Sequence, residues 1–270
     1  MNDDDELITL LRTLGIRSTA DSLRAYFKHA VHSRLGPVET LEQLAAIEHR
    51  ERERRNLEAR TRGAQLGVVV PVDRFDWSHP RKIDRALVEA LLRLDFVEHG
   101  ENVLFRGPSG VGKSMLSKCI GQAALEHGCT VRFSTLAAFL TDLLRQESAP
   151  ALERRLRRYV VPDVLILDEV GYLPCDGKAA DLLYALVDRR HEKRSTIVTT
   201  NLSFKQWGTV FPGAACVVAL VDRFAQHCHV VDIDADSWRQ KHAVTREPRD
   251  PADPSRPRPR PRPPGRPRRG

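Results

Sequence analysis

No run of eighteen apolar residues occurs anywhere in the chain, which excludes a helix that spans a bilayer. Nor is there a basic-then-apolar leader, because the chain opens Met1-Asn2-Asp3-Asp4-Asp5-Glu6 before its first leucine. A secretory signal needs the opposite order. These absences predict a cytoplasmic protein with no membrane partner. Cys-x-x-Cys pairs are also missing. The five cysteines, Cys119, Cys129, Cys175, Cys216 and Cys228, are scattered and read as reduced, small apolar residues. His227-Cys228-His229 does not make a metal site, since neighbours on a strand point to opposite faces.

Charge is present but unevenly placed. The formal net charge is +7, yet from Arg246 onward nine arginines face three acids. Six of the seven excess charges therefore belong to the end of the chain, and the body is nearly neutral. The basic pI says little about the partners of the body.

Three regions separate along the sequence. Residues 1–70 read as a small all-helical domain for DNA or partner contact. Leu7, Leu10, Leu11 and Leu14 have the spacing of one buried helical stripe, and Leu23, Tyr26, Phe27 and Ala30 form a second. Gly36-Pro37 breaks the chain, and Thr40-Leu41-Glu42-Gln43 has the form of a capping box that starts a third helix at Leu41. Residues 72–243 alternate apolar runs with helical patterns. Asn102–Arg106, Cys129–Ser134, Asp163–Asp168, Ser195–Thr200 and His229–Ile233 read as strands. Such alternation predicts a parallel five-stranded sheet flanked by helices. Residues 246–270 are an Arg/Pro repeat that cannot bury a core, and they read as a disordered basic tail.

The chemistry-bearing motif is Gly107-Pro108-Ser109-Gly110-Val111-Gly112-Lys113-Ser114. It fits the P-loop pattern and sits between an expected strand and an expected helix. Its glycines let successive N–H groups point at phosphate oxygens, and the helix N-terminus adds its positive end. Lys113 would neutralise the β- and γ-phosphates of ATP, and Ser114 would ligate Mg²⁺. The run Val164-Leu165-Ile166-Leu167-Asp168-Glu169 supplies the second half. Asp168 would hold Mg²⁺ and Glu169 would polarise the attacking water.

The strand Ser195–Thr200 ends in Thr199-Thr200-Asn201. If it inserts between the P-loop strand and the acidic strand, Asn201 would face the γ-phosphate. Otherwise Asn201 would cap a helix before Leu202. Arg223 and Arg239 lie late in the domain. One would act as an arginine finger on a neighbouring subunit and the other as a sensor in its own, unless they are ordinary surface arginines. Two basic clusters could neutralise phosphates without reading bases. They are Arg50, Arg52, Arg54, Arg55, Arg60 and Arg62, and Arg154, Arg155, Arg157 and Arg158. For the first cluster, the pairs Glu48–Arg52, Glu51–Arg55 and Glu58–Arg62 offer a plainer reading as braces on a helix.

These stretches, together with Leu94–Leu104, Asp168-Glu169-Val170-Gly171-Tyr172-Leu173-Pro174, Val187-Asp188-Arg189-Arg190, Gln206-Trp207-Gly208 with Phe211, Asp222-Arg223-Phe224 and Ser237-Trp238-Arg239, resemble the IstB-type helper ATPases of insertion sequences. That family is similar to the DnaC replicative helicase loaders. Trp238 stands where the family usually has Tyr, and Asp168-Glu169 where many relatives have Asp-Asp. The likeness runs over about residues 5–243, and the tail has no counterpart in it. The resemblance implies a bacterial AAA+ ATPase that self-associates on double-stranded DNA when ATP is bound, without sequence preference, and hands the site to a cognate transposase. A DnaC-like loader is the nearest alternative. A P-loop kinase of a small molecule is a more distant one.

Overall fold

The central strands of the sheet are buried on both faces. Its five strands are β1 (Asn102–Arg106), β2 (Val131–Thr135), β3 (Val164–Val170), β4 (Ser195–Thr200) and β5 (Cys228–Asp232). All pair in parallel, in the order β2-β3-β4-β1-β5. Val103, Leu104, Phe105, Val164, Leu165, Ile166, Leu167 and Ile197 are all 0% exposed. Such strands are stable only with helices on both faces. The structure, a computed structural model, describes residues 3–171, 177–211 and 215–238. Cys175, Tyr172-Leu173-Pro174, Arg239 and the tail from 246 lie outside the described residues.

Each expected strand is present, with shifted ends. β2 starts at Val131 rather than Cys129, and β3 runs on to Val170. β4 inserts between β1 and β3, where a simple nucleotide kinase places the two functional strands side by side. One face of the sheet is covered by α6 (Lys113–Glu126), α4 (Arg85–Leu91) and the end of α3 (Pro37–Ala64). The other is covered by α7 (Leu136–Leu144), α8 (Ala149–Val160), α9 (Gly177–Arg190) and α11 (Val217–Ala225). Two short helices, α5 (Asp95–Glu98) and α10 (Trp207–Val210), lie in the same part of the chain.

The N-terminal region is helical, but three local expectations fail. In α1 (Asp3–Thr13) the buried residue is Ile8, with Leu11 partly buried, while Leu7, Leu10 and Leu14 are exposed. Apolar residues occupy more than one face of this helix, and the face chosen meets Leu23, Tyr26 and Leu44. The stripe in α2 (Ala20–His32) is as expected, with Leu23, Tyr26 and Ala30 buried. Helix α3 starts at Pro37, not Leu41. Proline is pre-organised for the first helical position, so Gly36-Pro37 begins the helix instead of breaking the chain. The Thr40 hydroxyl donates back to the Gly36 carbonyl at 2.9 Å and caps nothing.

Ion pairing along α3 also differs. Arg54 joins Glu51 and Glu58, and Arg55 reaches Glu48 at 2.9 Å. Of the expected pairs only Glu51–Arg55 occurs among the described contacts, at 4.0 Å. Glu48 is diverted because it is buried and accepts hydrogen bonds from the Arg17 and Ser18 N–H groups and from the Ser18 hydroxyl. Burial alone would raise its pKa, but the bonds from Ser18 and Arg17 and the charge of Arg55 hold the carboxyl below its usual range. Further along, Arg60 donates to the Leu125 carbonyl at 3.2 Å and so docks α3 onto α6. A single 28-residue helix thus serves both cores.

Arg190 is the largest fully buried side chain. Its guanidinium donates to the carbonyls of Tyr159, Val160, Pro162, Asp163 and Ser195 and to the Thr196 hydroxyl. It therefore ties α8, α9 and the starts of β3 and β4 together. Burial pushes its pKa down to about 9, which leaves it charged at neutral pH. Removing it strands buried acceptors, each worth about 1–3 kcal/mol. Arg190→Ala is expected to cost about 3 kcal/mol or more, and Arg190→Lys to restore only part, because an ammonium cannot reproduce the planar fork. Urea denaturation measures both, and an unchanged midpoint in Arg190→Ala would contradict the assignment.

Candidate nucleotide site

The P-loop bridges the C-terminal end of β1 and the N-terminus of α6. Two glycines are required by contact. A Cβ on Gly107 would run into the Ile233 carbonyl. Gly112 has φ +99° and lies against the Phe75 ring, a conformation that L side chains resist. Lys113 is 6% exposed, and its ammonium donates to the Gly107 and Pro108 carbonyls at 2.7 and 2.6 Å. The lysine is therefore folded over its own loop, beside the helix N-terminus.

The acidic strand meets this loop directly. The Ser114 hydroxyl donates to Asp168 Oδ1 at 2.7 Å. Two hard oxygen donors this close fit a small divalent cation such as Mg²⁺. Glu169 follows in a bulge. Leu167 pairs with Val198, but the next paired residue, Val170, pairs with Thr200, so the register shifts by one. Glu169 itself has φ +63°. A bulge re-aims a side chain, and here Glu169 faces the cavity above the P-loop. A carboxylate, a hydroxyl–carboxylate pair and a lysine thus surround one space. That arrangement can hold a phosphate chain and place a base against a water molecule.

The cavity has a volume of about 250 Å³. Its far wall is made by Phe75, His79 and Trp238. The sequence reading gave none of the three a place in the site. The segment carrying Phe75 and His79 is held by an antiparallel bridge between Lys82 and Asp234. Two further contacts fasten it: His79 Nε2 lies 2.9 Å from the Asp236 carbonyl, and the His79 and Trp238 rings meet edge to face at 4.8 Å. The Trp238 N–H donates to the Gly110 carbonyl at 3.2 Å. The chain after β5 therefore lies across the P-loop.

The remaining expected residues are placed as follows. Asn201 is exposed, just beyond β4, and does not line the cavity. It is not a helix cap either, since Ser203 caps the next turn with Gln206. β4 ends at Thr200, and the chain leaves the strand before Asn201 can face inward. Thr199 lines the cavity instead. Arg223, on α11, pairs with Asp188 at 2.5 Å and lies 5.9 Å from the centre of the Tyr184 ring, outside the cavity. Of the second basic cluster, Arg154, Arg157 and Arg158 are exposed, while Arg155 is taken up by Asp142. Among the described residues no helix is long and apolar enough to cross a membrane.

ATP-binding proteins of insertion sequences are similar to this chain over most of its length. The insertion sequence IS232 putative ATP-binding protein of Bacillus thuringiensis subsp. berliner is 35% identical over 246 residues, 91% of this chain and 98% of that protein. The insertion sequence IS21 putative ATP-binding protein of Pseudomonas aeruginosa is 35% identical over 236 residues, 87% of this chain and 89% of the relative. Among solved structures, the crystal structure of DnaI superposes with a TM-score of 0.51 at 16% identity, over 62% of this chain and 89% of that one, which speaks to the fold alone. The fold is that of an AAA+ P-loop ATPase with a helical N-terminal region. Residues 9–246 match the family described as IstB-like ATP binding protein, and the chain belongs to that family.

Proposed function

We propose that the protein is an ATPase that assembles on double-stranded DNA and assists the transposase of an insertion sequence. The observation that carries the chemical half is the contact of Ser114 with Asp168 beneath the bulged, cavity-facing Glu169. In this reading the N–H groups of residues 107–114 and the Lys113 ammonium hold the phosphates of ATP. Ser114 and Asp168 hold Mg²⁺, which offsets charge on the phosphates. Glu169 takes the proton of the attacking water. The adenine stacks in the aromatic corner of Phe75, His79 and Trp238.

Arg223 is half-exposed and outside its own cavity. A guanidinium placed there serves a neighbour's site better than its own, which supports ATP-dependent self-association. On that assignment the sensor of the subunit's own site falls to Arg239, which lies outside the described residues. The insertion-sequence names of the relatives support the transposase half.

The exposed arginines of α8 are the phosphate contacts we assign to DNA. Duplex is expected to stimulate phosphate release, and binding to duplex, read by fluorescence anisotropy, is expected to be tighter with ATP than with ADP. In Arg154→Ala/Arg157→Ala/Arg158→Ala, the slope of log K against log salt should shrink by about two to three, at roughly 0.9 per lost phosphate contact. An unchanged slope would remove α8 from the interface. Co-purification with a replicative helicase in place of a transposase would turn the reading towards a loader.

A further inference from the structure

We propose that Thr199 is a positioning residue for hydrolysis, whose single hydroxyl sets both the Asp168 carboxylate and the backbone of Glu169. The inference rests on the ATPase reading above. Thr199 is 1% exposed near the end of β4 and lines the cavity. Its hydroxyl donates to Asp168 Oδ1 and accepts the Glu169 N–H at 3.0 Å. A hydroxyl has one proton and two lone pairs, so both bonds can exist together.

Each bond has a separate consequence. The register shift between Leu167 and Val170 takes Glu169 out of the ladder with β4. Its N–H, no longer paired with the β4 backbone, donates instead to the Thr199 hydroxyl in a part-buried bond. Without that acceptor the unsatisfied N–H favours a return to regular pairing. A one-residue slip would turn the Glu169 side chain to the other face of the sheet. The bond to Asp168 acts on the cation side. Ser114 donates to the same Oδ1 at 2.7 Å. If a cation engaged the Ser114 oxygen, the Thr199 hydroxyl would remain as a donor to hold the carboxylate.

Thr199→Val removes donor and acceptor while keeping the branched shape, and Thr199→Ser keeps the hydroxyl. The full-length chain is compared in three measurements: affinity for a fluorescent ATP analogue, kcat for phosphate release, and the Mg²⁺ concentration at half-maximal rate. Thr199→Val is expected to bind the analogue within about threefold of wild type. Its kcat should fall by about tenfold to hundredfold, and its half-maximal Mg²⁺ should rise severalfold. Thr199→Ser should stay within about threefold of wild type in all three.

Wild-type kcat and Mg²⁺ dependence in Thr199→Val would overturn the proposal. So would a kcat for Thr199→Ser as low as that of the valine variant, since the hydroxyl would then not be the active feature. If the valine variant does not fold, Thr199→Ala takes its place: a loss of turnover that Thr199→Ser does not share supports the role, and wild-type turnover rejects it. The underlying reading fails separately, when wild type releases no phosphate or when Glu169→Gln turns over like wild type.

Discussion

Glu169→Gln is expected to bind ATP within about threefold of wild type and to hydrolyse it about 10²- to 10³-fold more slowly. The substitution keeps shape and length but replaces a proton acceptor by an amide. Nothing in the support of the backbone changes, because the Glu169 N–H still donates to Thr199 and the bulge from Leu167 to Val170 is untouched. Binding groups on the P-loop side also stay in place. The lost step is therefore the chemical one, and kcat and kcat/KM should fall together. If hydrolysis resets the assembly, the variant should remain on duplex DNA longer than wild type in the presence of ATP. Steady-state phosphate release and the dissociation rate from labelled duplex measure the two effects. Turnover equal to wild type would remove Glu169 as the base, and slow turnover with fast dissociation would separate hydrolysis from release.

Much of this site was legible because its residues are close in sequence. The P-loop is one continuous pattern, and Asp168-Glu169 closes an apolar run. Both follow from local rules about glycine, helix ends and buried strands. What could not be read lies in long-range placement. Phe75 and His79 sit in a stretch without periodicity and reach the cavity only through the bridge from Lys82 to Asp234, distant in the chain. That Thr199 lines the cavity and the expected Asn201 does not depends on where β4 stops, a boundary that pattern leaves loose. Leu7, Leu10 and Leu14 were misplaced because an apolar run such as Leu7-Ile8-Thr9-Leu10-Leu11 is compatible with more than one buried face. Arg190 carries no local signal of burial. Its role exists only because carbonyls from five residues converge on it.

Lys113→Ala is expected to weaken ATP binding by about 10²-fold or more and with it every ATP-dependent property, including assembly on DNA. Lys113 is 6% exposed and its ammonium rests on the Gly107 and Pro108 carbonyls, so it is already partly desolvated and placed beside the loop. Charge-assisted bonds to phosphate are about twice as strong as neutral ones. Arginine should not substitute, because a rigid planar fork needs more room than a tetrahedral ammonium. Lys113→Arg is thus expected to resemble Lys113→Ala in calorimetric titration with ATP. The alanine change leaves the Gly107 and Pro108 carbonyls without this donor, so circular dichroism and thermal melting must accompany the titration. Retained fold with lost affinity is the expected pair of results. Retained fold with wild-type affinity would mean that the phosphates do not lie on this loop, and the assignments of Ser114, Asp168 and Glu169 would fall with it.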